Sequence, residues 1–161
     1  MPESTELTDY QKATAVARYV EIEEIGLDQV QARLLVPRDV ALSSTPWEIS
    51  FEKSATFSFV ENSKRLATTL SITGRVVPKN ASEPRTPIIE FSCAFSLGYC
   101  FNVVGGPEGE ERDKYLKAFA EVNGTYNVWP YFRELFQSTI TRMGLPPVVV
   151  PLYRASAQQS R

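Results

Sequence analysis

Few residues in this chain could do covalent or metal chemistry. Its 161 residues include no histidine, which removes the commonest general base and the commonest metal ligand. The two cysteines, Cys93 and Cys100, lie seven positions apart in one apolar segment. On a strand they point to opposite faces, more than about 20 Å apart, which rules out a disulfide between them. Nor does their spacing make a zinc site. Cys93 falls on the apolar face and reads as a buried structural thiol. Cys100 falls on the other face, with no neighbouring cation or helix N-terminus in the sequence to activate it. Gly105-Gly106-Pro107-Glu108-Gly109 lacks the lysine and hydroxyl residue of a phosphate loop and reads as a turn. Glu21, Glu23 and Glu24 match no carboxylate cage and read as a solvated helix face. The expectation is a protein without catalytic residues, metal or cofactor. The remaining excess is aromatic: nine Phe, seven Tyr and two Trp. Most fit a core, but Trp47 follows Pro46 where a loop enters a strand, a place for a partly exposed indole. Exposed apolar surface there would accept extended polypeptide through side-chain pockets and backbone pairing.

The elements that must position these residues follow from the period of the apolar pattern. Residues 8–25 have helical spacing (Tyr10, Ala13, Ala17, Val20), with Thr8 or Asp9 as cap and Gly26 as stop. From residue 29 the period becomes two. Val30, Ala32, Leu34 and Val36 form a first strand, broken by Pro37 and then by the segment Leu42 to Pro46. Trp47, Ile49, Phe51, Ala55, Phe57 and Phe59 form a second, interrupted by Lys53, and Asn62-Ser63-Lys64 marks a turn. Leu66, Thr68, Leu70, Ile72 and Val76 form a third, with Gly74 as a bulge or bend. Ile89, Phe91, Cys93, Phe95, Leu97, Tyr99 and Phe101 occupy successive odd positions, an unambiguous strand. Two helices are expected over residues 110–144, one closed by Asn123-Gly124 and one starting near Val128 with Pro130 in its first turn. Gly144 has the place of a left-handed cap, and residues 145–161 read as extended. This makes one domain over residues 1–161: an N-terminal helix (8–25), a four-stranded sheet (29–104), two helices and a tail. Strands followed by helices indicate an α+β fold, a four-stranded antiparallel sheet with helices on one face. Its long edge strands need covering, and another subunit is one way to cover them.

The totals fit an ordinary globular domain, with 43% hydrophobic and 22% charged residues. A net charge of −2, with scattered basic residues, argues against nucleic acid as a partner. The acidic start, Met1 to Tyr10, has no apolar signal core, and no stretch approaches the roughly 20 apolar residues of a membrane span. A cytoplasmic location without membrane insertion is expected.

The segment from Asn127 to Leu152 resembles the SecB protein-export chaperones. Pro130, Tyr131, Arg133, Glu134, Arg142, Gly144, Pro146 and Pro147 match that family's aromatic-Pro-Tyr-x-Arg-Glu start, Arg-x-Gly helix end and Pro-rich continuation. The order of strands, and a loop leading to Trp47, resemble it as well. The resemblance implies an ATP-independent holdase that binds unfolded polypeptide clients, preproteins destined for export, and assembles as a homotetramer, a dimer of dimers. It implies client-binding roles for Trp47, Ile49 and Phe51, and contact with the export motor SecA through Asp39 and Glu90. Several features depart from the family. Ser43 stands where a second acidic residue is expected, the N-terminal helix has no counterpart, and Arg154 and Arg161 replace an acidic tail. These make the chain similar to divergent SecB relatives, among them chaperones that serve an antitoxin. A small-ligand-binding or scaffold protein on the same frame is the alternative from another class.

Overall fold

A computed structural model describes residues 6–82, 84–102 and 109–154. The chain forms α1 (Asp9–Ala17), β1 (Val20–Leu34), α2 (Arg38–Ser43), β2 (Trp47–Val60), β3 (Arg65–Pro78), β4 (Ile89–Phe101) and α3 (Gly109–Arg142). The strands make one antiparallel sheet in the order β1-β4-β3-β2. The expected α+β architecture is present, with α3 packed on the inner face of β2, β3 and β4. Alternate residues of β4 are buried from Ile89 to Tyr99, as its period-two pattern requires.

Four expectations about the elements are corrected. The N-terminal helix ends at Ala17, and Val20 already belongs to a strand that runs to Leu34. The cause lies in two irregularities of β1, between Ile22 and Glu24 and between Leu27 and Gln29. Each sets an extra residue in β1, so Ile22, Ile25, Leu27 and Val30 all lie opposite inward residues of β4 despite their uneven spacing. Bulges thus imitate the helical three-residue step. Gly26 is a strand residue: a Cβ there would stand 3.0 Å from Ser96 Oγ, so the close approach favours glycine.

Residues 110–144 hold one helix, not two. Asn123, Gly124 and Pro130 are all interior to α3. Gly124 is buried facing β3, where tertiary packing outweighs its poor helix propensity. Pro130 removes the donor to the Tyr126 carbonyl, but both residues are exposed and water can take its place. The third correction is the short α2, where the expected reading was strand end and loop. Arg38 of α2 lies against Gly144, its guanidinium carbon 3.6 Å from where a Cβ would be. Gly144 adopts φ +74° and Leu145 N–H returns to the Ile140 carbonyl at 3.3 Å, the glycine-capped helix end the sequence indicates.

Gly74 is not a bulge, since β2 and β3 pair without a shift through Phe51–Gly74. Its missing side chain makes room for rings: a Cβ would meet Phe136 at 3.0 Å and Phe51 at 3.2 Å. Thr8 caps α1 in a reciprocal box with Gln11. The turn expected at residues 105–108 and the tail beyond residue 154 lie outside the described residues.

Candidate polypeptide-binding groove

At the start of β2, the chain leaves α2 through Ser44 and turns into the sheet at Trp47. The Trp47 indole N–H donates to Ser44 Oγ at 3.0 Å, which fixes the ring at the sheet corner and leaves it half-buried. Ile49 follows on the same face. Opposite them runs the segment after the Gly144 cap, Leu145 to Tyr153, which is extended because Pro146, Pro147 and Pro151 forbid helix. Between these walls lies a groove of about 440 Å³, lined by Thr45, Trp47, Glu48 and Ile49 on one side and by Pro146, Pro147, Val148, Val149 and Pro151 on the other; Glu48, its one charged lining residue, is paired with Arg85.

Side-chain bonds hold the second wall in place. Trp129 Nε1–H donates to the Pro151 carbonyl at 2.8 Å and Arg133 Nε–H to the Val150 carbonyl at 2.9 Å, both from α3. Tyr153 packs on Trp129 at 5.5 Å between ring centroids. Below the groove is an aromatic floor in which Phe51 contacts Trp129 and Phe132 edge-on at 5.4 Å. Phe136 and Phe91 complete the cluster.

The backbone at this corner is also available. Lys79 N–H donates to the Pro46 carbonyl at 2.9 Å, one step outside the Trp47–Pro78 pair, so that pair is a non-hydrogen-bonded one. The N–H and C=O of Trp47 and, by alternation, of Ile49 therefore point to the free edge of β2. One edge thus presents unpaired backbone groups and apolar side chains from the same residues.

Of the residues expected at a site, Trp47 and Ile49 line the groove together. Phe51 does not line it; its ring belongs to the aromatic floor. Asp39 is exposed in the first turn of α2. Glu90 lies on the outer face of β4, where it accepts from Arg75 Nε at 3.0 Å, and Arg75 also holds Glu52 at 2.8 Å. The hydrogen bonds that Arg75 donates to Glu90 and then to Glu52 raise its pKa further. Arg33 of β1 stands directly opposite Glu90 in the register, so Glu90 has a cation on either side. Sequence reasoning from residues missed the Pro146–Pro151 wall. Its signal was there, an apolar run broken by prolines with no strand partner.

Both thiols are shifted away from the thiolate form. Burial pushes Cys93 up to about 12, and it faces the core. Cys100 is raised by burial first and then by Glu23 and Glu21. Glu21, Glu23 and Glu24 lie in β1 and not on the expected helix face, and Glu23 is an ion-pair partner of Arg65, whose hydrogen bond lowers its pKa.

A second apolar surface lies on the inner side of β1. Ile22, Leu27 and Val30 point the same way as the buried face of β4, yet remain 44%, 47% and 46% exposed because α3 does not reach them. No helix among the described residues is long and apolar enough to cross a membrane.

Neither a family model nor a curated protein matches this chain. Among solved structures, its fold is similar to that of a SecB-like chaperone, Rv1957 of Mycobacterium tuberculosis, in complex with a ChAD peptide from the Rv1956 HigA1 antitoxin. The two share 17% identity with a TM-score of 0.68, over 90% of this chain and 98% of that one. What the likeness defines is the fold, a SecB-like α+β arrangement. A protein of unknown function from Streptococcus agalactiae matches at a TM-score of 0.38 and 12% identity, over 83% of this chain and 97% of that one, a likeness too distant to bear on function.

Proposed function

We propose that this chain is an ATP-independent chaperone that binds extended, apolar polypeptide segments in the groove between β2 and the Pro146–Tyr153 segment. The observation that carries the reading is the pairing of an apolar groove with a free strand edge at Trp47 and Ile49. A client strand would find hydrogen-bond partners in the backbone and pockets for alternate side chains. Trp47 and Ile49 are the contact residues, and Phe51 supports the floor beneath them. The SecB-like fold supports the same reading. A folding client would leave such a groove once its own core is formed, because its apolar residues are then buried elsewhere, and no nucleotide is needed for that exchange.

Between the two kinds of client, the export reading has a specific observation against it. SecA contact calls for an acidic surface, yet Glu90 is compensated by Arg75 and faces Arg33. That leaves Asp39 as the uncompensated carboxylate of the expected pair. An export role would have to use a different surface. Assembly as a tetramer fits the uncovered inner face of β1, which a second copy would bury. The primary test is suppression of aggregation of a chemically unfolded protein in the absence of ATP. Stoichiometric suppression is expected; no effect at micromolar chain concentration would contradict the proposal.

A further inference from the structure

Lys53 is the one charged residue among the inward-facing positions of β2. Its ammonium is exposed, and it makes two neutral contacts: Nζ–H donates to Tyr153 Oη at 3.0 Å and to Thr125 Oγ1 at 3.3 Å. It also lies 4.8 Å from the centre of the Tyr153 ring. Among the described residues no carboxylate is within salt-bridge distance, whereas Arg65, Arg75, Arg85 and Arg112 all have one. An ammonium has three protons to donate, so one is left over here.

Its position gives the charge a use. The C-terminal segment follows β2 in the same direction: Val148 and Val149 face Trp47 and Ile49, and Tyr153 meets Lys53. Lys53 therefore stands beyond the far end of the apolar groove, about 13 Å from Ile49 along the strand. We propose that Lys53 is an anion-accepting end point of the groove, so that the preferred client is an extended apolar segment carrying a carboxylate, an Asp, a Glu or a chain terminus, about four residues from its seated apolar side chain. The proposal rests on the groove reading and adds to it a sign of charge: a basic flank is disfavoured where an acidic one is accepted.

The test is a set of labelled peptides with one apolar core and an Asp, Ser or Lys four residues away, titrated into the full chain. The expected order is Asp over Ser over Lys, with about threefold per step at low salt, the size of an exposed ion pair. The preference should shrink at high ionic strength while the Ser peptide still binds. Lys53→Met should abolish the order, and Tyr153→Phe, which removes the hydroxyl but keeps the ammonium, should retain it. Equal binding of the three peptides, with Trp47→Ala still weakening each of them, would overturn the role of Lys53 and leave the groove intact. Binding of none would overturn both. An unchanged order in Lys53→Met would place the charge preference elsewhere and overturn the assignment.

Discussion

Two residues of one strand face, Trp47 and Phe51, do different work. Trp47 is held at the rim of the groove by a single bond to Ser44, with its ring available to a partner. Phe51 is wedged against Trp129, Phe132 and Phe136, with Gly74 beneath it. Truncating it leaves a hole that four rigid neighbours cannot fill. Phe51→Ala should therefore lower stability by about 3–5 kcal/mol, read as a shift in the urea midpoint with an unchanged slope. A loss below about 1 kcal/mol would show that the ring is not part of the core. The alternation of apolar residues marks all three of Trp47, Ile49 and Phe51 as inward. It does not tell which of them has a helix over it, because that depends on where α3 crosses β2.

At the scale of elements, the central strands were legible in the sequence and the two ends of the fold were not. β4 carries its face at every odd position, so its pattern admits one conformation. β1 carries the same kind of face through two bulges, which convert a step of two into a step of three and mimic a helix. Gly124 and Pro130 look like a break between helices, yet α3 passes through both because contacts made by the sheet hold it together. The groove was half legible: Trp47 and Ile49 from their strand, but not the opposite wall, whose position depends on bonds from Trp129 and Arg133 to carbonyls many residues away. The two glycines now make opposite predictions. A Cβ at Gly124 would be in ordinary contact with Thr68 at 3.6 Å, so Gly124→Ala should stabilise by about 0.5–1 kcal/mol, the usual gain in a helix interior. At Gly74 the same change would press on Phe136 at 3.0 Å and should destabilise by about 1–3 kcal/mol. Thermal or urea melts of the two variants decide this; shifts of the same sign would contradict the packing described for α3.

For the whole molecule, both sheet edges matter. β2 has its free edge beside the groove, and β1 has a free edge beside exposed Ile22, Leu27 and Val30. A long edge with an apolar face is a hazard in solution unless something covers it. The proposed tetramer covers β1 and leaves β2 for clients. Native mass by light scattering should then give a multiple of 18.1 kDa, four-fold for a dimer of dimers. Leu27→Glu should reduce that mass without unfolding the chain. A wild-type monomer at micromolar concentration would contradict the proposed assembly and leave the β1 face without a function.

The measurement closest to the central claim is the titration of a labelled, unfolded polypeptide into the wild-type chain and into Trp47→Ala, without nucleotide. Wild type should bind at micromolar concentration. The variant should bind about tenfold more weakly, the scale of losing one aromatic anchor, while its urea midpoint stays near that of wild type. Absence of wild-type binding, or equal binding by a folded Trp47→Ala variant, would contradict the assignment of the groove as the client site.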